Sequence, residues 1–66
     1  MDDNSPVHPD YPTLTRGAIA ATRYDAGRRG RITGAVKVYG PLVMVQVDYG
    51  MNANYEDAEN LIAFTN

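Results

Sequence analysis

The sequence predicts a small all-β protein, a five-stranded barrel preceded by an extended N-terminal arm. Three features predict this fold class: two long segments in which apolar and polar residues alternate, glycines and prolines that separate short segments, and a proline-rich start. The 66 residues are enough for one domain. We expect residues 1–14 to form a flexible arm and residues 15–66 to form the barrel.

The arm is polar and carries Pro6, Pro9 and Pro12 at every third position. This spacing matches the period of a polyproline II helix, which has no internal hydrogen bonds. We therefore expect the arm to be flexible, with docking into an aromatic groove of a protein partner as the alternative.

Two long strands, Arg31–Tyr39 and Leu42–Tyr49, are predicted to form a central hairpin across the turn at Gly40-Pro41. Apolar residues recur at every second position of each strand, as they do in half-buried strands. Gly34, in the middle of the first strand, indicates a bulge or a sharp bend. The positions predicted to face the core are Ile32, Gly34, Val36, Val38, Val43, Val45, Val47 and Tyr49.

Shorter elements are predicted on both sides of this hairpin. Residues 17–22 form an opening strand or a helical turn, because alanine is a weak strand former. After a turn at 50–54, we expect a strand at 55–57, a single 3₁₀ turn at 58–60 and a last strand at 61–65. This plan resembles the SH3-like small barrels, in which a bent sheet closes on itself and hides its edges.

Composition excludes several classes of site. The chain has no cysteine, so disulfides and thiolate zinc sites are excluded, and its one histidine, His8, lies in the arm. No apolar run approaches the ~18 residues that cross a membrane, and no secretory signal pattern is present. We expect a cytoplasmic protein without a metal, a cofactor or a catalytic group. The acidic residues Glu56, Asp57 and Glu59 are expected to form a solvated face.

Charge is distributed unevenly along the chain. The formal net charge is −2, yet all six lysines and arginines fall between positions 16 and 37. The acidic residues lie mainly in the arm and near the C-terminus. A molecule with one basic and one acidic side can steer a charged partner, although ordinary segregation of surface charge gives the same pattern.

The loop before the hairpin is the best candidate for binding nucleic acid or another anion. Arg28, Arg29 and Arg31 are close together, and Arg23 and Tyr24 are nearby. Guanidinium groups match phosphate and carboxylate oxygens in pairs, and a tyrosine ring can stack on a base. A solvated turn or a protein contact is the alternative interpretation of this cluster.

The run Gly27-Arg28-Arg29-Gly30-Arg31-Ile32 resembles the KOW element of ribosomal and transcription-elongation proteins. In that element a glycine-bearing loop and the next strand contact RNA or protein, which implies the same role for this loop. KOW modules carry a more apolar strand before the loop than Thr22-Arg23-Tyr24. The strand pattern is also similar to that of accessory subunits of photosynthetic and redox complexes, which use such barrels for docking.

In layout the chain resembles the plasmid-encoded trimethoprim-resistant dihydrofolate reductases. Those are short barrels with a proline-containing arm, and four copies form one active-site pore. The shared positions are Gly17, Gly30-x-Ile32-x-Gly34 and Leu61. Where that family has a Val-Gln-Ile-Tyr motif, this chain has Ala53-Asn54-Tyr55-Glu56, so no catalytic residue is assigned from this resemblance.

The outward positions of the hairpin are predicted to be a protein interface, because they combine apolar side chains with hydrogen-bonding groups. A domain this small also gains from the support of a larger protein or a homo-oligomer. We therefore expect a non-catalytic docking module, with a KOW-like nucleic-acid-binding protein and an oligomeric reductase as alternatives. The predicted interface residues are Ala35, Lys37, Tyr39, Leu42, Met44 and Gln46, with Pro6, Pro9 and Pro12 of the arm.

Overall fold

A computed structural model describes residues 5–64, which form five β-strands and one 3₁₀ turn. This part of the chain contains no α-helix, so the all-β class and the 3₁₀ turn before the last strand are confirmed. Over the same residues, the structure has no helix with the length and apolar character to span a membrane. The strands are β1 Ile19–Thr22, β2 Gly30–Tyr39, β3 Leu42–Asp48, β4 Ala53–Asp57 and β5 Leu61–Phe64, and the 3₁₀ turn is Ala58–Asn60.

All five strands belong to one antiparallel sheet in the order β4-β3-β2-β1-β5. The last strand returns to pair with the first, from Ile19 opposite Phe64 to Thr22 opposite Leu61. Within residues 5–64 the outer strands β4 and β5 are not paired with each other. The sheet is therefore open, and its predicted closure into a barrel is not confirmed.

The bulge predicted in the first long strand is present in β2. Ile32 pairs with Val47 and Val36 pairs with Val45, so three residues of β2 face the single residue Gln46 of β3. Gly34 lies inside this bulge with φ = +104°, a backbone conformation that glycine adopts without strain. The three residues replace one, so Ile32 and Val36 stay on the same side of the sheet.

The core lies on one side of the sheet and is formed mainly by alternate residues of the hairpin. Val38 is an exception to the predicted pattern, because 53% of its surface is exposed. Its partner Val43 is buried in β3, which also contacts the 3₁₀ turn. The end of β2 has no strand on its other side, since β1 pairs only with Gly30 and Arg31. The buried cluster comprises Leu14, Ala20, Ile32, Val43, Val45, Val47, Ala58 and Leu61.

The segment before the strands packs on this core. Leu14 is 2% exposed and belongs to the core cluster, and Val7 and Tyr11 pack against it. The Val7 N–H donates to the Leu14 carbonyl at 2.8 Å, and the Tyr11 N–H donates to the His8 carbonyl at 3.0 Å. Residues 5–14 therefore form hydrogen-bonded turns in which Leu14 is buried, although their proline spacing matches the period of a polyproline II helix. Residues 1–4 of the predicted arm lie outside the described residues.

Packing of this segment predicts a measurable contribution of Leu14 to stability. Leu14→Ala should lower the free energy of unfolding by about 2–4 kcal/mol, because it removes buried methyl groups and leaves a cavity. Leu42→Ala is the matched control, since Leu42 is 39% exposed and should lose less than about 1 kcal/mol. Urea denaturation measures both values, and equal losses would contradict a buried Leu14.

Candidate functional site

The outward face of β2 and β3 carries the residues predicted to form a protein interface. Pairing places Lys37 opposite Met44 and Tyr39 opposite Leu42, so these four side chains are neighbours on one face. Met44 is half-buried, and the other three are exposed. The structure therefore brings the central interface residues together, as the alternation of the sequence predicts.

The bulge and β4 extend this face. Ala35 and Gln46 are half-buried, and the Thr33 hydroxyl donates to the Gln46 side-chain oxygen at 2.7 Å. Tyr55 of β4 pairs with Gln46, and the Lys37 ammonium lies 4.3 Å from the centre of the Tyr55 ring. Tyr55 was not among the predicted interface residues, because its position depends on the register between β3 and β4.

Three large apolar side chains are exposed where the hairpin turns. We call Val38, Tyr39 and Leu42 the hairpin tip; they surround the turn at Gly40-Pro41 and are 53%, 58% and 39% exposed. Tyr39 and Leu42 lie on the outward face, and Val38 lies on the opposite face. The hairpin tip is therefore apolar on both sides of the sheet.

The three prolines predicted to join the interface are all exposed. Pro6 forms an isolated bridge with Thr15 and lies near Gly34 in the β2 bulge. Pro9 and Pro12 lie in the turns before Leu14. These residues are displayed by a folded segment and not by an extended peptide.

The side chains of Arg28 and Arg29 are held apart by aromatic rings. The guanidinium carbon of Arg28 lies 4.2 Å from the centre of the Tyr49 ring. That of Arg29 lies 4.0 Å from the centre of the Phe64 ring. Because Tyr49 follows β3 and Phe64 ends β5, these two adjacent arginines lie over different strands.

The other arginines of the predicted cluster bind backbone carbonyls. Arg31 donates to the Gly17 carbonyl at 2.8 Å, and Arg23 donates to the Glu59 carbonyl at 3.0 Å. Tyr24 is exposed next to Arg23. The structure therefore anchors the members of the predicted cluster at separate points.

Two of these arginines share one side of the sheet. Ile19 pairs with both Arg31 and Phe64, so these three residues form a row across β2, β1 and β5. Arg29 joins the row through its contact with Phe64. Arg23 lies next to the 3₁₀ turn instead, because its backbone N–H donates to the Asn60 carbonyl.

The positive charges are not neutralised by direct ion pairs within the described chain. Over residues 5–64 no arginine or lysine lies within ion-pair distance of an acidic side chain, and His8 Nδ1 lies 3.9 Å from an Asp10 carboxylate oxygen. The same residues contain no group of three histidine or acidic side chains arranged to hold a metal ion. Asp48 is the cross-strand partner of Arg31, and it is the acidic residue that strand pairing places nearest to this group.

Acidic residues near the last strand have structural partners. The Tyr49 hydroxyl donates to a Glu56 carboxylate oxygen at 2.9 Å. Burial and this hydrogen bond raise the pKa of Tyr49 to about 12, so the phenol is a neutral donor at neutral pH. The Asp57 carboxylate accepts the backbone N–H of Glu59 at 3.1 Å and caps the 3₁₀ turn.

No protein-family model matches this sequence, and comparisons with curated proteins and with solved structures give no significant match. The functional interpretation therefore rests on the fold and on the surfaces described above. Two surfaces are available for it. One is the hairpin tip with the outward face of β2 and β3, and the other is residues 23–31, which we call the arginine loop.

The Tyr49–Glu56 pair predicts a specific pH dependence. An unfolded tyrosine has a pKa of ~10, so the unfolded chain releases this proton before the folded chain does. The stability contributed by Tyr49 should be complete below pH ~10 and should decrease as the pH rises towards about 12. Glu56→Gln should lower the pKa of Tyr49, measured by the ultraviolet absorbance of the phenolate. Tyr49→Phe is the control, and it would contradict this assignment if its stability decreased with pH as steeply as that of the wild type.

Proposed function

We propose that this chain is a non-catalytic SH3-like barrel that docks onto a larger protein assembly or onto a second copy of itself. The strand order, with β5 returning to β1, and the 3₁₀ turn before β5 support the SH3-like assignment. The bulge at Gly34 supports it as well, because a bulge allows a long strand to bend between two halves of a sheet.

The exposed hairpin tip is the observation that carries the docking proposal. It presents three large apolar side chains around one turn, where no strand pairs with the free side of β2. Contact between such a cluster and water is unfavourable, and a partner that covers it gains binding free energy. Tyrosine is also among the residue types that contribute most to binding when a partner pocket buries them.

The surroundings of the hairpin tip have the composition of an interface rim. Lys37 and Gln46 lie on the outward face beside the half-buried Met44. The side-chain oxygen of Gln46 is occupied by Thr33, so its amide nitrogen is the donor that it can offer. An apolar centre with polar groups around it is typical of protein interfaces.

The double variant Tyr39→Ser/Leu42→Ser tests this proposal. Truncating both side chains should weaken association by at least about tenfold, because each residue is expected to be buried by the partner. Met51→Ser is the matched control, since Met51 is 98% exposed in the turn before β4 and should leave association unchanged. Urea denaturation establishes that both variants remain folded.

Sedimentation over a concentration series measures self-association of the three proteins. For a different partner, quantitative affinity capture compares the amount of each protein that is retained. The proposal predicts that the wild type and Met51→Ser form the same oligomer, or retain the same partner protein, to an equal extent. The double variant should lose this association. A wild type that stays monomeric, together with no partner whose retention depends on the hairpin tip, would disprove it.

We propose as a second function nucleic-acid binding through the KOW-like loop, which is favoured by its exposed arginines, although Arg31 has Asp48 as its cross-strand partner. Within residues 5–64 none of these arginines forms an ion pair, and Arg29 and Arg31 lie on one side of the sheet. A guanidinium that stacks on a protein ring with one face retains its other face for a base. Tyr24 supplies an exposed ring in the same loop.

Fluorescence anisotropy with a short RNA and a short DNA tests this second function. Binding should weaken steeply with salt, because each neutralised phosphate releases about one counterion. Arg29→Gln/Arg31→Gln should reduce the affinity and flatten the salt dependence, and Lys37→Gln, which removes one charge from the hairpin face, should have a smaller effect. Absence of binding to both nucleic acids at low salt would refute it.

A further inference from the structure

A small cleft lies between the segment before β1 and the bulge of β2. The two chain segments on its sides are tied together, because Pro6 bridges to Thr15 and the Arg16 N–H donates to the Ser5 carbonyl at 3.3 Å. The cleft has a volume of about 270 Å³ and is open to solvent. It is lined by Ser5, Pro6, Val7, Arg16 and Gly34.

The charged end of Arg16 is packed against Gly34. A Cβ atom at position 34 would lie 2.6 Å from Nε, 3.0 Å from Nη2 and 3.1 Å from Cζ of Arg16. These similar distances place the flat guanidinium group over the backbone of the bulge. Glycine thus serves twice at this position: it adopts φ = +104°, and it leaves room for the guanidinium.

Arg16 differs from the other basic residues in having no partner for its charged end within residues 5–64. Three of the others donate hydrogen bonds, and Arg29 and Lys37 lie over aromatic rings. Arg16 takes part in no ion pair there, and none of the described residues that line the cleft is acidic. A positioned guanidinium with its five N–H donors available is well suited to a carboxylate or a phosphate.

We propose that this cleft binds a small oxyanion group, a carboxylate or a phosphate, through the guanidinium of Arg16. Ser5 lines the same cleft, and its hydroxyl is the second donor of the proposed site. A cleft of about 270 Å³ has room for one such group. Its lining includes Pro6 of the predicted interface, but no residue of the hairpin tip or of residues 23–31.

Nuclear magnetic resonance titration of the full chain tests the site. Sodium phosphate and sodium acetate are added in separate series, with sodium chloride keeping the ionic strength constant. The amides of Ser5 and Gly34 and the Arg16 Nε–H should shift and saturate with at least one anion, and the tighter one identifies the chemistry. Shifts that do not saturate, or that occur at residues 28–31 and not in the cleft, would overturn the proposal.

Variants of Arg16 separate a specific site from general attraction to positive charge. Arg16→Gln should weaken binding of the effective anion by about tenfold or more, because a charge-assisted pair of hydrogen bonds is lost. Arg16→Lys retains the charge without the planar fork and should show an intermediate loss. If a change at Arg16 disturbs the spectrum far from the cleft, Ser5→Ala provides a milder test with a smaller loss. If Arg16→Gln binds the anion with wild-type affinity, the assignment is refuted. The same result for Ser5→Ala refutes it where that variant is used instead.

Discussion

The structure depends on burying the alternate valines of one hairpin against a leucine from the segment that precedes the strands. The β2–β3 hairpin supplies Ile32, Val43, Val45 and Val47, and Leu14 joins the same cluster. In a 66-residue chain the core is small, so a single large side chain accounts for a considerable share of the apolar area removed from water. This packing also fixes residues 5–16 against the sheet, and thereby places Arg16 next to the β2 bulge.

The bulge at Gly34 connects the fold with its candidate surfaces. It divides β2 into a part that pairs with β1 and a longer end that pairs only with β3. The first part carries Arg31 in the row with Phe64, and the second part ends in the hairpin tip. Arg31 with its row of neighbours and the hairpin tip therefore lie at opposite ends of β2. A partner can contact the tip without covering the arginines, so the two proposed functions do not compete for one surface.

The two candidate surfaces differ in how far the sequence predicted them. The outward face of the hairpin follows from alternation, because side chains two residues apart in a strand share a face. Tyr55 was missed there, since its place beside Gln46 depends on the register between β3 and β4. The arginines of residues 23–31 are close in sequence, but the fold brings only Arg29 and Arg31 to one side of the sheet. Long side chains reach whichever acceptors and rings the fold brings near, and here these belong to Gly17, Tyr49, Glu59 and Phe64.

The sequence by itself determined the strand class, the central hairpin, the position of the bulge and the 3₁₀ turn, because each of these depends on neighbouring residues. Alternation, a mid-strand glycine and a capping aspartate act over a few positions of the chain. Only the tertiary structure decided that Leu14 is buried, that Val38 is exposed, that the sheet is open and that Arg16 packs on Gly34. Each of these results depends on contacts between segments far apart in sequence, and the local pattern of residues does not encode which segments meet.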